Sequence, residues 1–582
     1  MLPASPLHAD GWTVTERQLG AMTTDAGQLP FLSPDGAHVV QVVSAKQDGA
    51  ASWQVLLDGH PQPGGMRPIL LPKYPFSGDS RHFAYLVRTE TGARVVVDGI
   101  AGPEFPLILP RSIRFNADGR HLAYLAGTPD GWRAVHDGQA ELPSPWLRGF
   151  VQPFGSWWQI HALGGGNDGS FWSLDPLDLM SDPNECLLFN ADGTRLAYAI
   201  SPTDDSSAVV VDGHEGTRFN AITLLRFSPD GKHLSYWAHD GDRWLVMRDG
   251  IEAAHYEGLY APALSADGTR FAYLARSEGK WWVVTEAATE NYFPLPEGAA
   301  GSGDPHYTLL FSPDGRHLAC ATGKRVVVDG VAGHAYDEIH SLTYSPDGRL
   351  AYAVNNSAMV VDGTIGPSYE KITAPVFSPD GHRIAYAGKK SRRWRVLLDG
   401  VPGRRYDHIL ALPRRSTYAC CLLFSPDSLR LAYVAQKGDY WHVVVDGVEG
   451  PPFSTIDGDS LLFSPDSWHV AYTATGEKGK QVVIDGQAGK PFAEVGRVTF
   501  SPDCHHWGYL ARADAQHWRA VIDGVESQAY FSIPGWNDNG THPDTPYTLP
   551  DHWLTFDAVD RYHYYACTKS GLFRIDGTWT EK

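Results

Sequence analysis

Apolar and polar positions along the chain recur in one pattern of short strands. An apolar run that contains Ala-Tyr, as in "LRLAYVA" (429–435), is followed by a Val-rich run that ends in Asp-Gly, as in "HVVVDG" (442–447). Short runs rich in Val, Ile and aromatic residues, separated by Gly, Pro, Asp and Ser, are typical of β-strands joined by tight turns. With a further short β-rich run on each side of this pair, each repeat predicts four antiparallel strands.

A Ser-Pro-Asp-Gly turn, or a close relative of it, marks each repeat. Most copies are separated by 33 to 47 residues, and they begin at 33, 77, 116, 190, 228, 265, 312, 345, 378, 425, 464 and 501. Two further units are predicted without this turn, a degenerate one at about 140–185 and a last one at 554–577. Self-similarity at a fixed period indicates a repeat architecture of about fourteen units.

The residues of both turn types have the backbone and hydrogen-bonding properties that tight turns require. In Ser-Pro-Asp-Gly, proline fixes φ, serine can bond the backbone and glycine accepts a positive φ. Asp-Gly after the Val-rich run is the preferred pair of a two-residue type I′ hairpin. Aspartates such as Asp347 and Asp362 are therefore predicted to shape turns rather than to bind a cation.

The predicted fold is all-β, with tandem β-propellers. A four-stranded sheet that is apolar on both faces must be covered by its neighbours, and a ring of such sheets is a β-propeller. Fourteen units divide into two seven-bladed rings of four-stranded antiparallel blades. We expect residues 1–24 to complete a blade, 25–295 to form the first ring and 296–582 the second, because the Gly-, Ala- and Pro-rich stretch before residue 308 is the most linker-like of the chain.

The units resemble the WD-repeat-like blades of the TolB-like class, in which an aromatic residue precedes Ser-Pro-Asp-Gly and an apolar strand. The resemblance covers roughly residues 25–580. It implies a β-propeller, a fold found in interaction scaffolds, in the propeller domains of serine peptidases and in some lyases. The Gly-x-Ser-x-Gly elbow of such peptidases is absent from the sequence, so peptidase activity is not implied.

Charge, hydrophobicity and cysteine content limit which partners and which cellular location are expected. The formal net charge is −19, and no extended basic segment offsets it, so nucleic-acid binding is not expected. No apolar run is long enough to span a bilayer, and membrane insertion is not expected. Six scattered cysteines and an N-terminus without signal-peptide features predict a cytoplasmic protein, although a secreted protein trimmed of its leader would look the same.

Candidate ligand-binding residues lie just before the turn of each unit, where the first strand of a propeller blade begins. Small residues predominate at one position there, among them Ser112, Ala261, Ser341, Cys421 and Ser460. The residues at and just before this position are otherwise chemically mixed, and they are interpreted either as a solvated rim or as the lining of two axial mouths. The candidates are Arg111, Glu185, Tyr260, His306, Tyr307, His340, Asp459, Arg497 and His552. In the degenerate unit, Trp157 and Trp158 belong to an aromatic-rich stretch (144–173) that predicts either a binding patch or a divergent blade.

The leading hypothesis is a non-catalytic scaffold that binds a protein or a polymeric ligand such as a glycan through axial and inter-blade loops. The alternative is a hydrolase or lyase with an axial active site, in which His340 with Asp459 or His306 with Glu185 would converge. No cofactor and no metal are expected, because the histidines are dispersed and no calcium-loop or phosphate-loop motif occurs.

Overall fold

The computed structural model describes most of the chain. The described residues exclude 1–7, 10–11, 21–30, 36–37, 48–49, 64–68, 73–74, 130, 141–186, 204–205, 286–290, 296–307, 323, 411–420, 513, 515–516, 531–553, 569–570 and 580–582. In the described part, β-strands account for almost all regular structure, and one short 3-10 helix lies at Pro110–Ser112. No helix among these residues is long and apolar enough to cross a membrane.

Thirteen antiparallel sheets, numbered here as blades in chain order, make up the described structure. Blades 1 to 4 consist of the following strands: Phe31–Leu32, Val39–Gln47, Ala50–Leu57 and His60–Pro61; Ile69–Leu70, Ala84–Arg88, Ala93–Val97 and Ile100–Phe105; Leu107–Ile108 with Arg114–Phe115, Leu122–Thr128, Gly131–His136 and Gln139–Ala140; Leu188–Phe189, Leu196–Thr203, Ser206–Val211 and His214–Phe219.

Blades 5 to 8 have the same order of four strands. Their strands are Ala221–Phe227, Leu234–Asp240, Arg243–Arg248 and Ile251–Tyr256; Gly258–Leu264, Phe271–Ser277, Lys280–Thr285 and Asn291–Pro294; Thr308–Phe311, Leu318–Ala321, Val326–Val328 and Val331–Ala332; Ile339–Tyr344, Leu350–Val354, Ala358–Val361 and Thr364–Ile365.

Blades 9 to 12 continue the pattern, and in three of them the first strand is split in two. Their strands are Lys371–Ile372 with Val376–Phe377, Ile384–Lys390, Arg393–Leu398 and Val401–Pro402; His408–Ile409 with Leu422–Phe424, Leu431–Lys437, Tyr440–Val445 and Val448–Glu449; Thr455–Phe463, Val470–Gly476, Gly479–Ile484 and Gln487–Ala488; Glu494–Val495 with Thr499–Phe500, Trp507–Arg512, Trp518–Ile522 and Val525–Glu526.

Blade 13 joins the two ends of the described chain. Its first three strands are Leu554–Ala558, Arg561–Thr568 and Gly571–Trp579, and Trp12–Gly20 is the fourth, with His8–Ala9 beyond it. The N-terminal strand pairs along its length with the last strand, from Trp12 opposite Trp579 to Gly20 opposite Leu572. This pairing links the ring through its last blade.

The Ser-Pro-Asp-Gly turns form as the residues predict. In blade 5, Gly231 N–H donates to the Ser228 carbonyl at 2.8 Å, and Gly231 has a φ of 69°. The Ser228 hydroxyl donates to Asp230 Oδ1 at 2.5 Å and accepts from the His233 N–H at 3.0 Å. Side chains in this turn thus satisfy the backbone where the first strand passes into the second.

The Asp-Gly hairpins carry a second structural device, a residue pair that we call the hairpin clamp. In blade 10, Asp446 has a φ of 52°, its Oδ1 accepts from the Leu431 N–H at 2.9 Å, and its Oδ2 accepts from Arg430 Nε at 3.0 Å. Positive φ at both Asp446 and Gly447 (79°) agrees with the predicted type I′ geometry. The same clamp, with His or Arg as the donor, occurs in the following pairs: His38–Asp58, His82–Asp98, His121–Asp137, Arg195–Asp212, His233–Asp249, His317–Asp329, Arg349–Asp362, Arg383–Asp399, His469–Asp485 and His506–Asp523.

Consecutive blades pack face to face through apolar clusters. In blade 3, Leu122 and Tyr124 pack toward blade 2, whereas Ala123 and Leu125 pack toward blade 4. The alternation of side chains along a strand explains this division, since successive residues point to opposite faces. A tryptophan recurs in the third strand of several blades, and those whose side chains are described pack in or against these clusters: Trp244, Trp282, Trp394, Trp441 and Trp518.

The prediction of two seven-bladed rings is wrong, because the described blades form a single ring of thirteen. At the expected boundary, Leu274 and Val283 of blade 6 and Leu295 after it share one core cluster with Leu309 and Phe311 of blade 7. Arg270 of blade 6 also donates to the carbonyl oxygen of Arg316 in blade 7 at 2.9 Å. A segment of linker-like composition therefore lies, in the sequence, between two blades that pack directly on each other.

The predicted degenerate blade lies outside the described residues. Blades 3 and 4 flank residues 141–186 in the sequence, and they pack directly on each other through Leu125 and Ala134 on one side and Leu187 and Tyr198 on the other. Every other predicted unit corresponds to one blade. The described ring thus continues from blade 3 to blade 4 without a sheet between them.

We predict that the turn aspartates make the protein sensitive to acid. Hydrogen bonds from the Ser265 hydroxyl and from Thr269 lower the pKa of Asp267 to about 2. Because this folded-state pKa lies below the unfolded value of about 3.9, the stabilisation is complete above about pH 4 and is lost as the pH falls toward 2. The melting temperature of wild type should therefore exceed that of Asp267→Asn most at neutral pH, and thermal melts from pH 7 to 2.5 should show the two curves converging. A difference that does not change with pH would contradict this prediction.

Candidate functional site

The first strand of each blade lies innermost, and in most blades it is interrupted near its middle. First strands of consecutive blades contact each other, as Gly258–Leu264 contacts Thr308–Phe311. In blades 3, 9, 10 and 12 this strand is in two pieces, and in blades 5, 6 and 8 it contains a bulge. The bulges place Leu224, Ala261 and Ser341 at positive φ (58°, 45° and 55°), a conformation that non-glycine residues rarely adopt. We call these positions the inner-strand interruptions.

Side-chain hydroxyls replace the backbone partners that the interruptions remove. Ser112 Oγ accepts from the Leu125 N–H at 2.8 Å, and Ser460 Oγ accepts from the Thr473 N–H at 2.8 Å. Thr373 does the same for the Ala387 N–H at 2.9 Å. These N–H groups are buried, and burial without a partner would cost each of them about 1–3 kcal/mol. Ser112 and Ser460 are therefore more than small residues at a crowded position, because their hydroxyls also satisfy the neighbouring strand.

The sequence-predicted binding residues that the structure describes lie at these interruptions. Tyr260 and His340 each precede the bulge of their strand, Asp459 lies in the irregular part of the blade 11 strand, and Arg497 lies between the two pieces in blade 12. Arg111 belongs to the 3-10 helix between the two pieces in blade 3. Tyr260, Asp459 and Arg497 are exposed, and His340 is half-buried.

Some of these residues meet, and others are far apart in the ring. Arg497 Nη2 donates to the Asp459 carbonyl oxygen at 3.0 Å across the boundary between blades 11 and 12. Tyr260 stacks edge-on against Trp281, with ring centroids 5.2 Å apart. His340 Nε2 lies 3.5 Å from Glu338 Oε2, whereas Asp459, its proposed catalytic partner, is three blades further along the ring.

The remaining candidates lie outside the described residues. They are Glu185, His306, Tyr307, His552, Trp157 and Trp158. The pairing of His306 with Glu185 and the aromatic patch of residues 144–173 therefore stay predictions.

A polar cluster on blade 13, which we call the seam cluster, was missed from the sequence. It lies on the face opposite the one that packs on blade 12. His563 Nδ1 lies 2.8 Å from Asp557 Oδ2, Arg574 Nε donates to Asp576 Oδ1 at 2.8 Å, and Arg574 Nη1 lies 3.4 Å from the Tyr565 hydroxyl. Charged and polar side chains thus occupy positions where blade 3, for example, has Ala123, Leu125 and Ala134.

The seam cluster faces blade 1, where the ring closes. Asp58 of blade 1 contributes to the electrostatic environment of Tyr565, and burial raises the pKa of that phenol to about 12. His563 is 3% exposed. Burial lowers the pKa of its imidazole, against the opposing effect of its hydrogen bond to Asp557. An alignment of His563 with Ala123 and of Arg574 with Ala134, which occupy the same ladder positions in blade 3, would have revealed this cluster.

The fold follows from the arrangement of the sheets. Thirteen sheets form a ring, and in each sheet the strands run from an innermost first strand to an exposed fourth strand. The chain is a β-propeller. The predicted resemblance to TolB-like propeller blades is thus confirmed at the level of the fold.

Comparisons with known proteins add little beyond the fold. No protein-family model matches the chain, and no curated protein matches it. Among solved structures, the chain is similar to one described as the structure of the Dos1 propeller, with 13% identity, coverage of 55% of this chain and 91% of that chain, and a TM-score of 0.25. It is also similar to the crystal structure of TolB from Acinetobacter baumannii, with 17% identity, coverage of 38% and 63%, and a TM-score of 0.19. Likenesses this low carry no argument about function.

Proposed function

We propose that this β-propeller is a non-catalytic scaffold that binds a protein or a polymeric ligand through its inner-strand interruptions. The observation that carries the proposal is the position of Tyr260, Asp459 and Arg497, which are all exposed where the innermost strands lose their regular pairing. Bulges are enriched next to functional sites, where they redirect side chains, and binding residues are disproportionately found in irregular segments on a rigid scaffold.

The chemistry of these residues suits a large surface better than a small pocket. Tyr260 offers an amphipathic ring that is 42% exposed, a type of group enriched in binding hot spots. Arg497, fixed by the Asp459 carbonyl oxygen, offers a guanidinium that can bond carboxylates or hydroxyls. Because blades 6 and 12 are separated by five others, a ligand that reaches both must be a folded protein or an extended polymer.

A photo-crosslinker in place of Tyr260 tests this proposal. The full-length protein would be exposed to extract from its native source and irradiated, and the adducts would be identified by mass spectrometry as protein or glycan. The matched control carries the crosslinker at Tyr440, which is 55% exposed on the third strand of blade 10. We expect a discrete adduct from position 260 that Arg497→Ala weakens. Adducts of equal yield from both positions, or from position 440 alone, would refute the proposed binding surface.

A further inference from the structure

Blade 3 differs from most other blades at the last residue of its third strand. The residue there is His136, directly before the hairpin aspartate Asp137. Blade 5 has Arg248 at this position, and the remaining blades with an Asp-Gly hairpin have an aliphatic residue: Leu57, Val97, Val211, Val328, Val361, Leu398, Val445, Ile484 and Ile522. A polar residue at a position that the repeat reserves for packing indicates a local function.

His136 adds a second imidazole to an ordinary hairpin clamp. His121 Nδ1 lies 2.7 Å from Asp137 Oδ2, the same distance as in the clamps His82–Asp98 and His233–Asp249. His136 Nε2 lies 3.5 Å from the same Asp137 oxygen. One potential ligand atom from each of His121, His136 and Asp137 lies within 4.8 Å of the other two.

The free nitrogen of His136 has no other role in the described structure. His136 Nε2 is buried and has no hydrogen-bond partner among the described residues. Its ring packs against Phe189 of blade 4, with centroids 5.4 Å apart, so that an apolar wall closes one side of the group. Buried polar atoms are almost always bonded, and an ordered water or a bound ion is the usual partner of one that no protein group satisfies.

We propose that His121, His136 and Asp137 bind a divalent transition metal of the zinc class. Two imidazoles and one carboxylate form a typical three-residue set for zinc, whereas calcium and magnesium prefer oxygen ligands alone. In a tetrahedral site with bonds of 2.0–2.1 Å, ligand atoms are about 3.3 Å apart. The 3.5 Å between His136 Nε2 and Asp137 Oδ2 fits this value, and the clamp bond to His121 would open by about half an ångström.

The site would leave one coordination position for another ligand. The side chain of Asp137 is 43% exposed, so the fourth position faces solvent and can take water or an external group. Asp137 Oδ1 still accepts from the Leu122 N–H at 2.9 Å, which fixes the carboxylate while Oδ2 turns toward the metal. This site departs from the expectation of no metal, since its ligands come from neighbouring strands and share no spacing motif.

Zinc titration of the full-length protein, first stripped with a chelator, tests the proposal. Wild type should take up one more equivalent of zinc than His136→Val, measured by competition with a chromophoric chelator, and removing this ligand should weaken binding at that site by at least about 100-fold. Cobalt in place of zinc should give wild type, but not the variant, the visible absorption of a tetrahedral site. His136→Val restores the aliphatic residue of blades 2 and 4, so its circular dichroism should match that of wild type.

A second variant distinguishes zinc binding at this site from weak zinc binding by histidines elsewhere in the chain. His317→Gln removes one imidazole from a clamp without a third ligand and should leave the zinc stoichiometry of wild type unchanged. Zinc should also raise the melting temperature of wild type and of His317→Gln more than that of His136→Val. Equal stoichiometry in wild type and His136→Val, or an equal loss in His317→Gln, would overturn the proposal.

Discussion

Trp12→Ala should lower the free energy of unfolding of blade 13 by about 3–5 kcal/mol, the range typical of replacing a buried large aromatic residue by alanine. Trp12 is 2% exposed and belongs to the core shared by blades 12 and 13. Its ring meets Tyr562 and Trp579 edge-on, at centroid distances of 4.8 and 5.2 Å, and its Nε1 donates to Asp523 Oδ2 at 3.2 Å. Alanine would leave a large cavity and remove the hydrogen bond to the clamp of blade 12.

Denaturant unfolding together with amide hydrogen exchange would measure this effect. Exchange should accelerate most in the strands of blade 13, because each blade of a repeat protein is stabilised mainly by its neighbours. Arg17→Ala is the matched control on the same strand, where the side chain is exposed and the change should stay within about 0.5 kcal/mol. Equal effects from the two variants would show that the N-terminal strand is held by its backbone ladder alone.

Asp446→Ala should destabilise the protein by about 2–3 kcal/mol, whereas Asp446→Asn should cost about 1 kcal/mol or less. Alanine removes the acceptor of the Leu431 N–H and the partner of Arg430, and it places an ordinary residue at a φ of 52°. Asparagine keeps an oxygen for Leu431 and tolerates positive φ. The difference in stability between the two variants therefore reports the contribution of hairpin geometry, because both variants lack the charge of Asp446.

Chemical denaturation of both variants beside Asp439→Ala would check this prediction. Asp439 is exposed in the neighbouring turn of the same blade and serves as a control for the loss of a carboxylate. If asparagine proves as harmful as alanine, the ion pair with Arg430 is the dominant contribution. If neither variant differs from Asp439→Ala, the clamp contributes nothing to stability.

Local features of this fold could be predicted because they depend on a few adjacent residues. Ser228, Asp230 and Gly231 form the predicted turn among themselves, and Asp446 with Gly447 forms the predicted hairpin. The same repeat identified every described blade, including blade 13, which lacks the Ser-Pro-Asp-Gly turn.

The number of rings could not be predicted, because it depends on contacts between blades rather than within them. The sequence between blades 6 and 7 has a linker-like composition, but Leu274 and Phe311 meet in one core. No local pattern distinguishes a loop that separates two rings from one that connects adjacent blades.

The binding role of the candidate residues stays a prediction, and the structure adds where the described ones lie and what surrounds them. Tyr260 and Arg497 do lie at irregular inner strands, yet the hydroxyl bonds of Ser112 and Ser460 depend on the neighbouring strand. His136 and His563 are departures from the repeat that the sequence contains, but the contacts of His136 with Asp137 and of His563 with Asp557 depend on the folded chain.

The N-terminal strand of blade 13 has a consequence for how the protein is made. During synthesis, blades 1 to 12 emerge in order and can pack one on the next, but Trp12–Gly20 must wait for Gly571–Trp579, the last strand of the ring. Until then its edge is unpaired and the indole of Trp12 has no core to enter. Unpaired strand edges invite aggregation. This strand is translated before blades 1 to 12 and is placed after them, so it is the strand of the ring that a chaperone would have to shield longest.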